Sequence, residues 1–417
     1  MLFISFYHYF FLYILLRNKI HVNAKINQKQ DYFKNNHYKK RSLSKVYSLD
    51  ELNLMDNSQN KMAYISSISN EKGEIYLIST SEDIENPIRL VFKIKKDFSF
   101  DNKIISINSP IYNKYPLLTI VKIEDTEYIG TYTNYDGHFE IINYDSEEIY
   151  YSPINFNEIK KTSEIFKNTF ISLKYHDNSF VFNAFIDKMN SQLKIEKLYY
   201  SHKNIKDYPI NVTKANSFLE GSQNFPLSCF EIQNFIECLY INSQLLYIVS
   251  VFDISNLNNL LNKIIEEDIV KDNELFSKCI YIKNDIGAFL YFIDSNQFPK
   301  LQFQNLEINQ NNYILNNYFN KIDINSQGKF PLERNYIYND FIKTNENTIY
   351  FISAESFGIN IYIIQIKLLN MDKNILISYY SIKVNEVFNT GIYKDMTAFS
   401  LNGLLGLGLT FNNFNFV

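Results

Sequence analysis

The chain has 417 residues, with 41 Lys and Arg against 45 Asp and Glu, a formal net charge of −4. Hydrophobic residues make up 46% and charged residues 21%, enough apolar side chain to bury a core over most of the length. The acidic balance argues against a nucleic-acid binder, which needs a basic face to neutralise phosphates.

The first 24 residues read as a signal peptide. Leu2 to Leu16 is apolar apart from Ser5 and His8, too short to span a bilayer comfortably, and Val22-Asn-Ala24 offers small residues at a cleavage site. Arg17 and Lys19 follow the apolar run instead of preceding it, so a short uncleaved anchor is the alternative. No membrane span beyond this segment is expected.

Residues 25–61 read as a disordered basic arm, polar and aperiodic, with seven Lys or Arg and one acidic residue between Lys25 and Lys45. Within it, Arg41-Ser-Leu43-Ser-Lys45 is a partial match to the Arg-x-Leu export signal of malaria-type parasites, with Lys45 where an acidic residue or Gln is usual.

From residue 62 to 417, period-2 apolar runs broken by polar turns predict an all-β domain. Tyr (33) and Phe (35) favour strands and supply cross-strand pairs. Unit starts fall near Tyr64, Val121, Ile171, Cys229, Cys279, Phe341 and Ala398, spaced 50 to 62 residues apart. Each opens with a hairpin, and several add a third and a fourth run. Four strands at this period predict a β-propeller of about seven four-stranded blades. The seventh unit holds only two strands before Val417. Either an N-terminal strand completes it or the last blade is incomplete, and the unfinished look of residues 412–417 favours the second. Leu257 to Val270 is the best helical candidate and reads equally as a loop with a strand.

The clearest repeat aligns Leu227-Ser-Cys229-Phe-Glu-Ile-Gln-Asn-Phe-Ile-Glu-Cys238-Leu-Tyr240 with Cys279 to Tyr291, so that Cys279 falls on Cys229 and Ala288 on Cys238. Cys229 and Cys238 either bridge the hairpin or stand as two buried thiols, and Cys279 is left over as a small buried hydrophobe. Asn211-Val-Thr213 is a glycosylation sequon in an inter-unit loop.

The search for catalytic motifs is mostly negative, and no cofactor or metal is predicted. With no Trp, the Trp-bearing blade signatures of WD repeats and sialidases are excluded in their usual form. No His-Glu-x-x-His, Gly-x-Ser-x-Gly or phosphate-binding glycine loop occurs. Asp323-Ile-Asn325-Ser-Gln327-Gly328 begins like a calcium loop, but Arg334 stands where a bidentate Glu is required. Gly403, Gly406 and Gly408 lie on the hairpin register, where glycine allows close strand packing.

Leu227-Ser-Cys229-Phe, Phe235-Ile-Glu-Cys238-Leu-Tyr240, the repeat at Cys279 and Leu404-Leu-Gly-Leu-Gly408 together resemble the ectodomain of EGF-like membrane proteins of malaria-type parasites. That resemblance covers residues 62–411 and implies a surface protein; it brings no catalytic set with it. The expectation is a non-enzymatic, secreted or surface-displayed recognition domain whose ligand is an unknown protein or glycan. The alternatives are a propeller hydrolase acting on glycans or peptides and a truncated copy without independent function.

Overall fold

The structure is a computed structural model. It describes residues 2–6, 10–14, 29–32, 47–48, 62–81, 88–106, 117–123, 126–133, 138–152, 169–175, 178–187, 192–199, 211–214, 219–220, 227–270, 276–293, 299–309, 312–318, 321–324, 336–355, 360–369, 374–383 and 393–411. The protein is all-β, of the β-propeller class, and every named element is a strand. Its seven sheets fall into two compact units, Met1–Pro116 with Asn335–Val417, and Leu117–Arg334.

The second unit holds four sheets in chain order, spanning residues 117–152, 169–220, 228–264 and 277–323. Each is an antiparallel meander of four consecutive strands, the shortest route for a chain whose strands are joined by tight turns. The first unit holds the meanders 62–106 and 336–383 and a sheet built on the hairpin Tyr393–Leu401 with Leu404–Phe411. Six sheets are thus consecutive four-strand meanders. In the seventh, Leu2–Phe6 runs parallel to Leu404–Phe411, and Phe10–Ile14 and Tyr47–Ser48 follow. An N-terminal strand therefore sits beside the last hairpin, the first of the two alternatives raised for the seventh unit. Lys29–Tyr32 extends the 336–383 sheet. The proposed cleavage point at Ala24 lies outside the described residues.

Local sequence accounts for the turns. Asn402 and Gly403 both take positive φ, at 51° and 75°, the geometry of a two-residue hairpin turn. Gln233 and Asn284 hold φ of 53° and 50° in the equivalent hairpins. Asparagine side chains close other turns by accepting backbone N–H groups. Asn70 Oδ1 accepts from Glu74, Asn143 Oδ1 from Asp145 and Ser146, and Asn242 Oδ1 from Gln244 and Leu246. Abundant Asn thus has a structural use in this chain. The helical candidate 257–270 is instead the edge strand Asn259–Ile264 followed by irregular chain. Asn259 and Leu261 to Ile264 pair with the strand Tyr247–Asp253, and that pairing outweighs a weak helical periodicity.

In the second unit, apolar side chains of the 228–264 sheet alternate to its two faces, so it buries one face on the sheet before it and one on the sheet after. In the 228–264 sheet, Cys229, Ile236, Cys238 and Tyr240 pack with Phe182, Ala184 and Ile195 of the preceding sheet. Phe230, Ile232, Leu239 and Val249 pack with Cys279, Phe289 and Leu306 of the following one.

Candidate functional site

Side-chain contacts are numerous at the seam between the 228–264 and 277–323 sheets, both in the second unit. Their first strands, Ser228–Ile232 and Ser277–Lys283, are joined by side chains. The Cys279 amide donates to Ser228 Oγ at 3.0 Å, and the Cys279 thiol donates to the Ser228 carbonyl at 2.9 Å. The same device recurs in the first unit. Ser67 Oγ donates to the Ala398 carbonyl at 2.8 Å, and Ser400 Oγ to the Thr344 carbonyl at 3.2 Å. In all three cases a short side chain on a first strand reaches a carbonyl on the first strand of a neighbouring sheet. Cys279 is therefore a hydrogen-bonded fastener as well as a buried group. Burial pushes its thiol up to about 12, which keeps it a donor at neutral pH.

Cys229 and Cys238 are directly opposed partners on the first hairpin, joined as a disulfide with a Cα–Cα distance of 4.1 Å. Cys279 is the buried free thiol. The repeat alignment around it needs a correction. A register shift between Tyr281 and Lys283 places Phe289 opposite Cys279 and sets Ala288 opposite Ile280. The bulge adds one residue to the first strand, and a one-residue slip changes which partner shares a face. Asn211 opens the short edge strand Asn211–Lys214, beside the strand Gln192–Tyr199.

Next to the fastener lies a socket. Gly287, on the second strand of the 277–323 sheet, faces the ring of Phe230. A methyl carbon placed on Gly287 would lie 2.5 Å from Phe230 Cζ, 3.2 Å from Phe289 Cε2 and 3.3 Å from Glu237 Oε2. Glu237 is fully buried here, with no hydrogen-bond partner for either carboxylate oxygen. Burial pushes it up to about 8, so it is a neutral acid at neutral pH.

Farther along the seam lies a charged cluster. The carboxylate of Glu266 accepts Lys321 Nζ at 2.8 Å and lies 3.3 Å from Lys300 Nζ, which also pairs with Asp268 at 3.6 Å. Tyr291 OH lies 3.4 Å from Glu266 and 3.2 Å from Gln302 Oε1, and Gln302 donates to Asn317 at 2.8 Å. Burial raises the Glu266 carboxyl, but Lys321 and Lys300 outweigh it and hold the group below its ordinary value. Burial also raises the Tyr291 phenol, and the adjacent Glu266 charge adds to that.

Among the described residues, the two carboxyls shifted upward do not converge. Glu231 is opposite Ile236, and Glu237 is opposite Phe230. They therefore project from opposite faces of one hairpin. Glu231 remains exposed as a residue, although burial around its carboxyl pushes it up to about 7. Glu237 was not among the residues singled out from the sequence, because an isolated Glu in an apolar run gives no sign that it lacks a partner. Among the described residues no group of His, Cys, Asp and Glu is arranged to hold a metal ion. Asp323 lies in the short strand Ile322–Asp323, and the rest of the calcium-like loop from residue 325 lies outside the described residues.

These features define an all-β propeller-class protein with a disulfide-pinned hairpin at a closely packed seam. No family model and no curated protein matches the chain. Among solved structures it is similar to a fungal lectin from Aleuria aurantia described as having a six-bladed β-propeller fold. That match has 10% identity and a TM-score of 0.46, and covers 76% of this chain and 94% of the lectin. It is also similar to a chain of the mitotic checkpoint complex, with 11% identity, a TM-score of 0.45, and 84% and 90% covered. A third match, a puromycin-hydrolyzing peptidase of Mycobacterium tuberculosis, has 7% identity, a TM-score of 0.40, and 74% and 51% covered. At such identities and TM-scores these likenesses carry no argument, and the class rests on the sheets themselves.

Proposed function

We propose that the chain is a non-enzymatic recognition or scaffold domain, secreted or surface-displayed, whose ligand is a protein or a glycan. The observation that carries this reading is the placement of Glu231 and Glu237 on opposite faces of one hairpin. General acid–base hydrolysis needs two groups within reach of one bond, and a sheet's thickness separates these two. The other strongly shifted groups of this seam, Cys279, Tyr247 and Tyr291, are walled in between sheets, which suits packing better than turnover. On this reading the resemblance of the 227–240, 279 and 404–408 segments to EGF-like membrane proteins of malaria-type parasites makes the chain the strand-rich part of a surface protein.

The test is to apply the purified full chain to a glycan array and to a library of extracellular proteins, and in parallel to glycosidase and peptidase substrate panels. Saturable binding without turnover supports the proposal. Turnover that tracks the protein through purification overturns it in favour of the hydrolase. N-terminal sequencing of exported material bears on the secretory part: a start at Lys25 supports it and takes the strands Leu2–Phe6 and Phe10–Ile14 out of the seventh sheet of the mature chain, and a start at Met1 refutes cleavage.

A further inference from the structure

We propose that Glu237 is a proton-operated latch on the seam between the 228–264 and 277–323 sheets: with its carboxyl protonated the seam stays shut over Cys279, and loss of that proton opens it. The geometry is specific. Glu237 stands in a row with Phe230 and Val251 on the face that meets the next sheet. Opposite it are Gly287, whose missing side chain leaves room for the Phe230 ring, and Phe289, tilted against that ring with centroids 6.0 Å apart. Gln304 is the register partner of Gly287 and shares the face of Leu306, which packs on the 228–264 sheet. Its Oε1 is buried and without a hydrogen-bond partner. Both oxygens of the acid and one acceptor of the amide thus stand unsatisfied on the two sides of one buried seam.

The titratable and charged neighbours offer no counter-ion. From the facing sheet come Cys279, Tyr281 and Tyr291, with Lys278 beside Cys279; from the acid's own sheet come Tyr247 and Lys263. Lys263 is committed to the Leu315 carbonyl, and Tyr247 to the Phe292 carbonyl. Beyond them Lys300 and Lys321 are held by Glu266. The charge of Glu237 also pushes the Cys279 thiol further up. An ionised carboxylate here is walled off from solvent with no hydrogen-bond donor on either oxygen, so its charge is relieved by parting the sheets.

The sign follows from linkage. A group with a folded pKa raised from 4.5 to about 8 keeps its proton in the closed seam over a range where the open seam has lost it. Opening therefore becomes easier as pH rises through that window and levels off above it, by up to about tenfold per pH unit.

Cys279 is the reporter, being the buried free thiol at this seam. The full, unreduced chain is labelled with a maleimide between pH 5.5 and 7.5, in parallel for the parent and Glu237→Gln, and labelling is read on the Cys279 peptide by mass spectrometry. Dividing the two rates cancels the intrinsic pH dependence of the thiol. The latch predicts a parent-to-variant ratio that climbs at least about fivefold across the range, part of the full linkage slope. A ratio flat within twofold overturns it. Glu237→Leu serves as a second pH-insensitive variant should the amide fail to fold. Parallel urea midpoints must then show the parent alone losing stability across the same range, and equal pH slopes for parent and variant overturn the proposal equally.

Discussion

Adding a single methyl group at Gly287 tests whether the seam is a fitted joint. In Gly287→Ala the new carbon would lie 2.5 Å from Phe230 Cζ, where unstrained carbons sit about 3.5–4.0 Å apart. One atom or the other must therefore give by about 1 Å. The Phe230 ring cannot simply swing aside, because Phe289 is packed against it at 6.0 Å between centroids, and Phe289 Cε2 lies 3.2 Å from the same new carbon. The third neighbour, Glu237 Oε2 at 3.3 Å, is enclosed as well. Overpacking of this kind costs about 1–3 kcal/mol, and three constrained neighbours point to the upper half of that range. Urea unfolding of the parent and variant measures it. The decisive arm is the double variant with Phe230→Leu, which shortens the colliding side chain. It should recover on the order of 1 kcal/mol relative to the sum of the two single changes. A Gly287→Ala midpoint indistinguishable from the parent, or strictly additive effects in the double variant, would show that the ring does not fill the glycine socket.

Three further outcomes are expected. Cys279→Ser should keep the bond to the Ser228 carbonyl, since Ser67 and Ser400 make that contact elsewhere, whereas Cys279→Ala should lose about 1–2 kcal/mol in the same unfolding assay; equal effects of the two would deny the fastener role. Glu266→Gln should destabilise at pH 7 by on the order of 1–3 kcal/mol, discounted for the partial exposure of Lys321. Because the Glu266 carboxyl is depressed in the fold, its contribution is present above its ordinary value and fades as pH falls through the folded one. The gap between variant and parent should therefore close in acid, and a gap unchanged at pH 3 contradicts the charge pairing. Thiol counting on unfolded, unreduced protein should return one free thiol; three would remove the Cys229–Cys238 bridge, whose short loop contributes roughly 2–3 kcal/mol.

Much of the fold was legible because strand alternation and turn chemistry are local. The seven unit starts read from periodicity, Tyr64, Val121, Ile171, Cys229, Cys279, Phe341 and Ala398, each fall inside the first strand of a sheet. The bulge between Tyr281 and Lys283 was not legible, because Lys283 and Asn284 alternate as well with it as without it. Nor was the parallel pairing of Leu2–Phe6 with Leu404–Phe411, since an apolar run next to Met1 carries the pattern of a targeting segment and of a strand alike. At the seam, the partner of Cys279 lies 51 residues away and that of Ser67 lies 331 away, and spacing along a chain gives no hint of either. Glu237 was invisible for a related reason. Its neutrality comes from what surrounds it in space, chiefly Phe230 and the bare backbone of Gly287.

The fasteners at Cys279, Ser400 and Ser67 give the repeat a direction in time. Synthesis proceeds from the N-terminus, so the Ser228 carbonyl exists before Cys279 is made, and the Thr344 carbonyl before Ser400. At those two seams the newer sheet arrives carrying the donor, and the older sheet waits with the acceptor. A nascent chain ending at Val270 thus displays an open acceptor on its last finished sheet. The contact from Ser67 to Ala398 runs the other way: its donor is made 331 residues before its acceptor. In the first unit that hydroxyl waits for the strand Tyr393–Leu401, and the same strand carries Ser400 to the Thr344 carbonyl, so both of these seams close after the one at Cys279.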